Sequence, residues 1–276
     1  MGSTSFLRRN ACRATAVASA ALWALAACAR PAARAVQPAP AAQLRLKVVR
    51  TFPHDPGAFT QGLLFLEGKF YESTGLYGRS SLRRVDPDSG VVERGVDLPA
   101  DLFGEGLARV GGRLVQLTWK NRRALVWNLA TLRKEREISY QGEGWGLCFD
   151  GRHLIMSDGS ETLALRDPES FAKVGEIVVR RAGQPLRNLN ELECLEGIVY
   201  ANVWQDSHIA RIDARTGEVT GWIDASGLLR PDEAHAADVL NGIAYLPATG
   251  HLAVTGKLWP RIFEVEIVPA APPPAK

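Results

Sequence analysis

One short pattern occurs five times along the chain, and this repetition restricts the fold more than any other feature. Each copy starts with a polar or aromatic residue, continues with a small or acidic residue, and then enters an apolar stretch. The copies start at Gln61, Glu105, Trp145, Asn190 and Asn241, at steps of 44, 40, 45 and 51 residues. Steps of this size are typical of the four-stranded sheets, or blades, from which β-propellers are built.

The two ends of the repeated region complement each other. The fifth copy runs out after its third apolar stretch, residues 261–267, whereas the apolar stretch 44–51 lies ahead of the first copy. If these two stretches pair, the ring of sheets closes and no long sheet edge is exposed. The sequence therefore predicts an all-β fold, a five-bladed β-propeller whose last blade is closed by the N-terminal strand.

The N-terminal segment carries a signal for export. Three arginines, Arg8, Arg9 and Arg13, precede an apolar run that ends at Ala27 and is too short to span a membrane. The run ends in Leu25-Ala26-Ala27-Cys28, which resembles a bacterial lipobox. We expect lipid on Cys28 and an exported bacterial lipoprotein, anchored to a membrane and facing the periplasm or the cell exterior. The alternative is an ordinary secretory signal.

The composition divides the chain into four parts. Residues 1–27 are the signal peptide, 28–42 an Ala- and Pro-rich tether, 43–268 the propeller domain, and 269–276 a disordered tail. The formal net charge of +3 comes from the signal arginines, so the mature domain is close to neutral. A neutral domain argues against nucleic-acid binding and against membrane contact other than through the lipid. We expect a monomer.

Two cysteines remain in the domain once Cys12 leaves with the signal and Cys28 carries lipid. An exported compartment permits a disulfide between Cys148 and Cys194. They occupy neighbouring copies, however, and matching strand positions are expected to lie too far apart for a bridge. Two buried free thiols are the preferred interpretation. No cysteine and histidine spacing indicates a metal site, so neither metal nor cofactor is expected.

The first residues of the copies are the candidate functional residues. The first strand of each propeller blade lines the central channel, so these positions form a ring in which Glu105 is the single carboxylate. A second set, Trp119, Trp204 and Lys257, lies where second strands end. Polar groups that converge on one ionisable residue indicate a binding or catalytic pocket. Trp127 and Trp222 lie outside both sets and are expected to be core residues.

Seven segments carry a family resemblance that covers the domain in order. They are Phe59-Thr60-Gln61-Gly62-Leu63, residues 71–83, Phe103-Gly104-Glu105-Gly106-Leu107, Glu143-Gly144-Trp145-Gly146-Leu147, residues 189–193, Asn202-Val203-Trp204 and residues 240–245. They resemble the plant- and bacterial-type glutaminyl-peptide cyclotransferases. The resemblance implies a site made of Phe59, Gln61, Phe103, Glu105, Trp119, Trp145, Asn190, Trp204 and Lys257.

The resemblance also implies an activity. Such an enzyme converts the N-terminal glutamine of peptides or proteins into pyroglutamate with loss of ammonia and uses no cofactor. Catalysis would rest on Glu105 as general acid and base, with Asn190, Lys257 or Gln61 donating to the oxyanion. The three tryptophans would enclose the glutamine side chain, and the two phenylalanines would wall the entrance.

Two other functions fit a propeller. A non-catalytic lipoprotein could bind peptides or envelope partners through the same channel mouth, although it would not require a carboxylate among indoles. A propeller hydrolase such as a lactonase needs a metal held by several inner acids, and the ring has one. Other polar residues near blade ends are interpreted as structural or solvated: Asp158, His208, His235 and Asp238.

Overall fold

The computed structural model describes residues 40–270, which contain 22 β-strands and one helix of four residues, joined by turns and loops. Strand β1 (Ala42–Pro53) precedes three antiparallel sheets of four strands each. The first sheet contains β2 (Thr60–Leu66), β3 (Lys69–Thr74), β4 (Ser81–Val85) and β5 (Val92–Asp97). The second contains β6 (Gly104–Val110), β7 (Arg113–Thr118), β8 (Arg123–Asn128) and β9 (Lys134–Ser139). The third contains β10 (Leu147–Phe149), β11 (Leu154–Met156), β12 (Thr162–Arg166) and β13 (Lys173–Val178).

An eight-stranded sheet follows a short hairpin of β14 (Arg180–Arg181) and β15 (Gln184–Pro185). Its first half contains β16 (Leu189–Leu195), β17 (Ile198–Val203), β18 (His208–Asp213) and β19 (Val219–Asp224). After helix α1 (Pro231–Ala234) come β20 (Leu240–Leu246), β21 (His251–Gly256) and β22 (Arg261–Pro269). The strand order is β16-β17-β18-β19-β1-β22-β21-β20. The described part of the chain has no helix with the length and hydropathy needed to span a bilayer.

The N-terminal strand completes the last half of this sheet. β1 pairs antiparallel with β22, from Leu44 opposite Pro269 to Pro53 opposite Arg261. The predicted pairing of the two ends of the chain is therefore confirmed. At its start β1 also pairs with β19, in parallel, and this short ladder joins the two four-stranded halves into one sheet. Hydrogen bonding on both sides removes the open edge that each half would otherwise present.

The repeated glycine allows the first strands of successive sheets to approach one another. β2 packs against β6, β6 against β10, β10 against β16, β16 against β20, and β20 against β2. A Cβ atom on Gly62 would lie 2.6 Å from the backbone nitrogen of Leu107, and one on Gly146 would lie 1.9 Å from the carbonyl oxygen of Asn190. Since backbone atoms cannot yield at these distances, the small residue of the pattern is a packing requirement.

The fourth copy departs from this rule, because Glu191 stands where the other copies have glycine. Its side chain is buried and reaches two other first strands. Oε1 accepts a hydrogen bond from the backbone N–H of Leu63 at 3.2 Å, and Oε2 accepts one from Ile243 at 2.8 Å. Burial and the nearby Glu193 raise the pKa of Glu191 well above its usual range, although both N–H groups oppose the shift. One carboxyl group thus connects β16 with β2 and β20.

Apolar side chains fill the space between adjacent sheets. Leu82 of the first sheet, for example, packs with Leu107 and Leu125 of the second. Trp127 and Trp222 are buried in these layers, as expected for core residues. The apolar side chains between the sheets thus form the core of the domain.

The expectation of two free thiols is wrong. Cys148 and Cys194 form a disulfide that links β10 to β16, with their Cα atoms 5.4 Å apart. The two first strands are packed side by side, and the cysteines do not occupy matching positions, since Cys148 lies three residues after Trp145 and Cys194 lies four after Asn190. This offset brings their side chains within bonding distance, in the range of Cα separations that a disulfide requires.

Candidate active site

The residues that start the copies lie at irregularities of the strands. Shifts of register interrupt the pairing of first with second strands between Thr60 and Gly62, Gly104 and Leu107, Leu189 and Leu192, and Leu240 and Ile243. In the third sheet, Trp145 precedes β10 and lies outside its ladder. Such β-bulges redirect side chains and often adjoin active sites. Here they turn ring residues toward a shared cavity instead of into the sheet faces.

A cavity of about 390 Å³ opens at this end of the first strands. It is lined by Phe59, Gln61, Phe103, Glu105, Trp119, Trp145, Asn190, Trp204, Gln205, Asp238, Val239 and Lys257. All nine residues named from the sequence are therefore brought together. The fifth ring residue, Asn241, is buried behind the cavity wall. Asp238, which the sequence placed among structural or solvated residues, lines the cavity and is exposed.

Glu105 is the central acid of the cavity. Its side chain is 4% exposed, and Oε1 accepts a hydrogen bond from Gln61 Nε2 at 3.1 Å. Its own carbonyl oxygen accepts a hydrogen bond from Ser73 Oγ at 2.5 Å, which holds the backbone at the bulge. Burial raises the pKa of Glu105 well above its usual range, the Lys257 ammonium opposes this shift, and Glu143 adds to it. A buried carboxyl group whose pKa is raised is suited to take up a proton and return it during a reaction.

The orientation of Gln61 is set by a residue from the far end of the chain. Asn241 Nδ2 donates to Gln61 Oε1 at 3.0 Å and to the Thr60 carbonyl at 2.9 Å. Because the oxygen of the Gln61 amide accepts from Asn241, its nitrogen faces Glu105. Gln61 thereby holds the Glu105 carboxyl group in one position.

The indoles are oriented by a carboxylate that the sequence analysis did not identify. Glu143 Oε2 accepts hydrogen bonds from Trp119 Nε1 at 2.7 Å and from Trp145 Nε1 at 3.1 Å. The Trp145 and Trp204 rings meet edge to face with centroids 5.7 Å apart. Position offered a signal, since Glu143 stands two residues before a ring residue, as do Phe59 and Phe103. Glu143 thus fixes two walls of the cavity.

The amide of Asn190 is available to a ligand. The residue is buried, and its backbone carbonyl accepts a hydrogen bond from Ser157 Oγ at 2.7 Å. Its side-chain amide makes no hydrogen bond to any residue between 40 and 270. Since buried polar groups usually have partners, an amide free to donate into a cavity is suited to a polar ligand atom.

Lys257 lies on a loop that a buried ion pair supports. Its Nζ lies 4.7 Å from the centroid of the Phe59 ring. Burial lowers the pKa of Lys257, although the nearby carboxylates of Glu105 and Asp238 oppose this shift. Two residues on, the Trp259 carbonyl accepts a hydrogen bond from His54 Nδ1 at 2.6 Å, and His54 Nε2 lies 3.0 Å from Glu72 Oε1. This pair ties the Lys257 loop to β3.

The cavity therefore combines a buried acid of raised pKa, an ammonium group, a free amide donor and an aromatic enclosure. These groups suit a small polar substrate that undergoes proton transfer and develops negative charge on an oxygen. Residues 40–270 contain no group of three or more His, Cys, Asp or Glu side chains arranged to hold a metal ion.

Comparison with known proteins gives consistent matches. The family model for glutamine cyclotransferase matches residues 17–267. A glutaminyl-peptide cyclotransferase of Arabidopsis thaliana is 43% identical over 232 residues, which are 82% of this chain and 72% of that relative. The crystal structure of Myxococcus xanthus glutaminyl cyclase superposes with a TM-score of 0.76 at 41% identity, covering 84% of this chain and 100% of that one.

Proposed function

Since this chain belongs to the glutamine cyclotransferase family, as its motifs indicated, we propose that it converts N-terminal glutamine into pyroglutamate with Glu105 as the proton-transferring group. Membership of the family makes it an enzyme of the glutaminyl-peptide cyclotransferase class, which acts on peptides and proteins that begin with glutamine. One observation carries the proposed mechanism. Glu105 is buried in a cavity walled by indoles, with its carboxyl group held by Gln61.

The first step is removal of a proton from the substrate. A terminal ammonium group cannot attack a carbonyl carbon, so its proton passes to the Glu105 carboxylate. The raised pKa of Glu105 brings it closer to that of an α-amino group, near 8, which lowers the cost of the transfer. The indoles hold the glutamine side chain folded over its own amine, so that the reaction is a positioned intramolecular attack.

The second step forms the ring. The neutral amine attacks the side-chain amide carbon, and the carbonyl oxygen becomes an oxyanion. We assign Asn190 and Lys257 as the donors that stabilise it, because their side chains make no hydrogen bond to residues 40–270, whereas Gln61 Nε2 already donates one to Glu105. Of the three donors that the sequence left open, Gln61 is thereby assigned to positioning Glu105.

The third step releases ammonia. Protonated Glu105 gives its proton to the departing amide nitrogen as the carbon–nitrogen bond breaks, and ammonia leaves. Glu105 then takes the extra proton from the ring nitrogen and passes it to the released ammonia, so that ammonium and pyroglutamate are the products. The carboxyl group ends in the state in which it began, and no other proton carrier is needed.

The test is direct. The purified protein is incubated with a dipeptide that begins with glutamine, with and without a chelator, and released ammonia is measured against loss of the terminal amine. We expect one ammonia per amine lost, at equal rates in both samples. The absence of ammonia would contradict the proposed reaction, whereas a rate abolished by the chelator would contradict the metal-free mechanism.

Glu143 should act as a positioning residue. Glu143→Leu removes the acceptor shared by two indoles and is expected to raise KM about tenfold, because a hydrogen bond to a charged group contributes about 1.5 kcal/mol or more. Glu143→Gln keeps an acceptor oxygen and should restore most of this loss. Both changes remove a negative charge near Glu105, so its pKa falls and the acid limb of kcat/KM moves to lower pH. Unchanged KM and pH profiles in both variants would exclude this role.

We also propose that the four-stranded units are five blades of one propeller. The three separate sheets supply three blades, and the two halves of the eight-stranded sheet supply two. The packing of each first strand on the next, with β20 against β2, supports this count. An experimental structure with the two halves folded as one continuous layer would contradict it.

The lipid anchor is predicted from the sequence alone, because Cys28 lies outside the residues that the structure describes. We propose that the mature chain begins at Cys28, carries lipid, and is held as a monomer on a membrane outside the cytoplasm. Mass spectrometry of the protein from its native host should find a diacylglyceryl group on Cys28. An unmodified N-terminus, or a chain cut elsewhere, would exclude the anchor and leave ordinary secretion.

A further inference from the structure

We propose that a groove beside the catalytic cavity binds the residues that follow the N-terminal glutamine, and that it favours an apolar second residue over an acidic one. This inference rests on the proposed function. The groove has a volume of about 350 Å³, which is within the range of small-ligand sites.

The groove continues the cavity. Gln205, Asp238 and Val239 line both. A peptide whose glutamine side chain is enclosed by the indoles must lead its remaining chain out of the cavity. A groove that shares one wall with the cavity receives that chain without a bend away from the surface. The second and third residues of the substrate would therefore lie along this wall.

An extended connection builds the groove. The segment 225–239, between β19 and β20, is more than twice as long as 98–103 or 140–146, which make the equivalent connections between earlier sheets. It accounts for the longest step of the repeat and contains helix α1. Ala225 is held against the turn between β17 and β18, because its N–H donates to the Ser207 carbonyl at 2.9 Å. Long connections on a rigid scaffold are frequent carriers of specificity.

The wall shared with the cavity is firmly held. The N–H of Asp238 donates to the Lys257 carbonyl at 2.9 Å, and the N–H of Lys257 donates to the Val239 carbonyl at 2.9 Å. Trp259 Nε1 donates to the Asp238 carbonyl at 2.8 Å. The groove and the loop that carries Lys257 are thus one hydrogen-bonded unit, so a chain bound in the groove has a defined distance to the catalytic groups.

The lining defines the chemistry of the occupant. Leu228 and Leu229 are half-buried, Leu240 and Trp259 are buried, and together they make an apolar floor. Asp206 and Asp238 are the charged residues of the lining, and Asp206 Oδ1 lies 2.6 Å from His208 Nδ1. Within residues 40–270, no lysine or arginine lines this groove.

Burial against the apolar floor favours the binding of an apolar side chain. A carboxylate would instead lie near the carboxylates of Asp206 and Asp238 and would lose hydration against the floor. Partial burial of a leucine side chain is enough for about a tenfold preference over aspartate in kcat/KM.

The experiment compares three substrates with the full-length protein: glutaminamide, Gln-Leu amide and Gln-Asp amide. The wild type should prefer Gln-Leu over Gln-Asp amide about tenfold in kcat/KM. Leu228→Asn, which makes the floor polar, should lower the ratio of Gln-Leu amide to glutaminamide. Ser207→Arg, at an exposed position of the lining, should raise kcat/KM for Gln-Asp amide about threefold, and added salt should weaken this gain.

The control is Ser139→Arg, which adds the same charge at an exposed position of β9 that lines neither the cavity nor the groove. It should leave all three ratios as in the wild type. If glutaminamide is cyclised but the wild type treats both dipeptides alike, or the groove variants change all three substrates in parallel, the groove assignment is wrong. If glutaminamide and both dipeptides are inert, the proposed function is wrong and this inference falls with it.

Discussion

Glu105→Gln is expected to lower kcat for cyclisation about a hundredfold or more, since positioned acid–base groups typically contribute that much to rate. The amide that replaces the carboxyl group cannot take the ammonium proton and cannot return one to the departing nitrogen. Both transfers in the proposed mechanism are lost together. The loss should appear in kcat and kcat/KM, because the missing function is exercised in the chemical step.

The same substitution should preserve the shape of the cavity. The side-chain oxygen of the introduced glutamine can still accept the hydrogen bond from Gln61 Nε2. Binding of the product, pyroglutamyl amide, should therefore change little, as calorimetry would report. Glu67→Gln is the matched control. Glu67 is exposed in the turn after β2, at the end of that strand away from Gln61 and the cavity. If folded Glu105→Gln turns over at a rate near that of the wild type, Glu105 is not the proton carrier.

Glu191→Ala is expected to destabilise the protein by about 3 to 5 kcal/mol. The substitution leaves the buried N–H groups of Leu63 and Ile243 without acceptors, and each such group costs about 1 to 3 kcal/mol. It also removes the two hydrogen bonds by which the Glu191 side chain connects β16 with β2 and β20. Urea denaturation with the disulfide intact would measure the loss as a lower midpoint at similar slope.

Two further variants test whether the loss of stability comes from the unpaired N–H groups or from replacing any glutamate. Glu191→Gln retains one acceptor oxygen, so its loss should be intermediate between those of the wild type and Glu191→Ala. Glu176→Ala, at an exposed position of β13, should change the free energy of unfolding by less than about 0.5 kcal/mol. A loss below about 1 kcal/mol for Glu191→Ala would mean that water replaces the carboxyl group.

The sequence predicted those residues of the candidate site that occupy the same position in each copy of the repeat. Residues at the same place in each copy are presented at the same end of the first strands, so Gln61, Glu105 and Asn190 could be grouped without coordinates. Glu143 and Asp238 were missed for different reasons. Glu143 lies two residues before a ring residue, as Phe59 and Phe103 do, but only the structure shows that two indole N–H groups donate to one of its oxygens. Asp238 belongs to the connection 225–239, which is longer than the equivalent connections in the other copies and so cannot be aligned with them.

The disulfide shows the same limit. Spacing along the chain suggested matching positions in neighbouring units, and matching positions suggested too large a separation. The two cysteines are offset by one residue in the sequence itself, and the structure packs β10 against β16, which brings their Cα atoms to 5.4 Å. An offset of one residue moves a side chain from one face of a strand to the other. The offset was present in the repeat alignment, whereas the close packing of β10 against β16 was not.

The sequence by itself determined the all-β class, the order of the units, the pairing of β1 with β22, and the grouping of the ring residues at one end of the first strands. These features follow from the repeated pattern and from the complementary ends of the repeated region, whereas Phe59 and Phe103 were indicated only by the resemblance to a known family. Only the tertiary structure decided which atoms face each other: the nitrogen of Gln61 toward Glu105, the carboxyl group of Glu191 across to Leu63 and Ile243, and the segment 225–239 beside the cavity. The reason is physical. These contacts join segments far apart in the chain, and their geometry depends on how whole sheets pack, which no local pattern specifies.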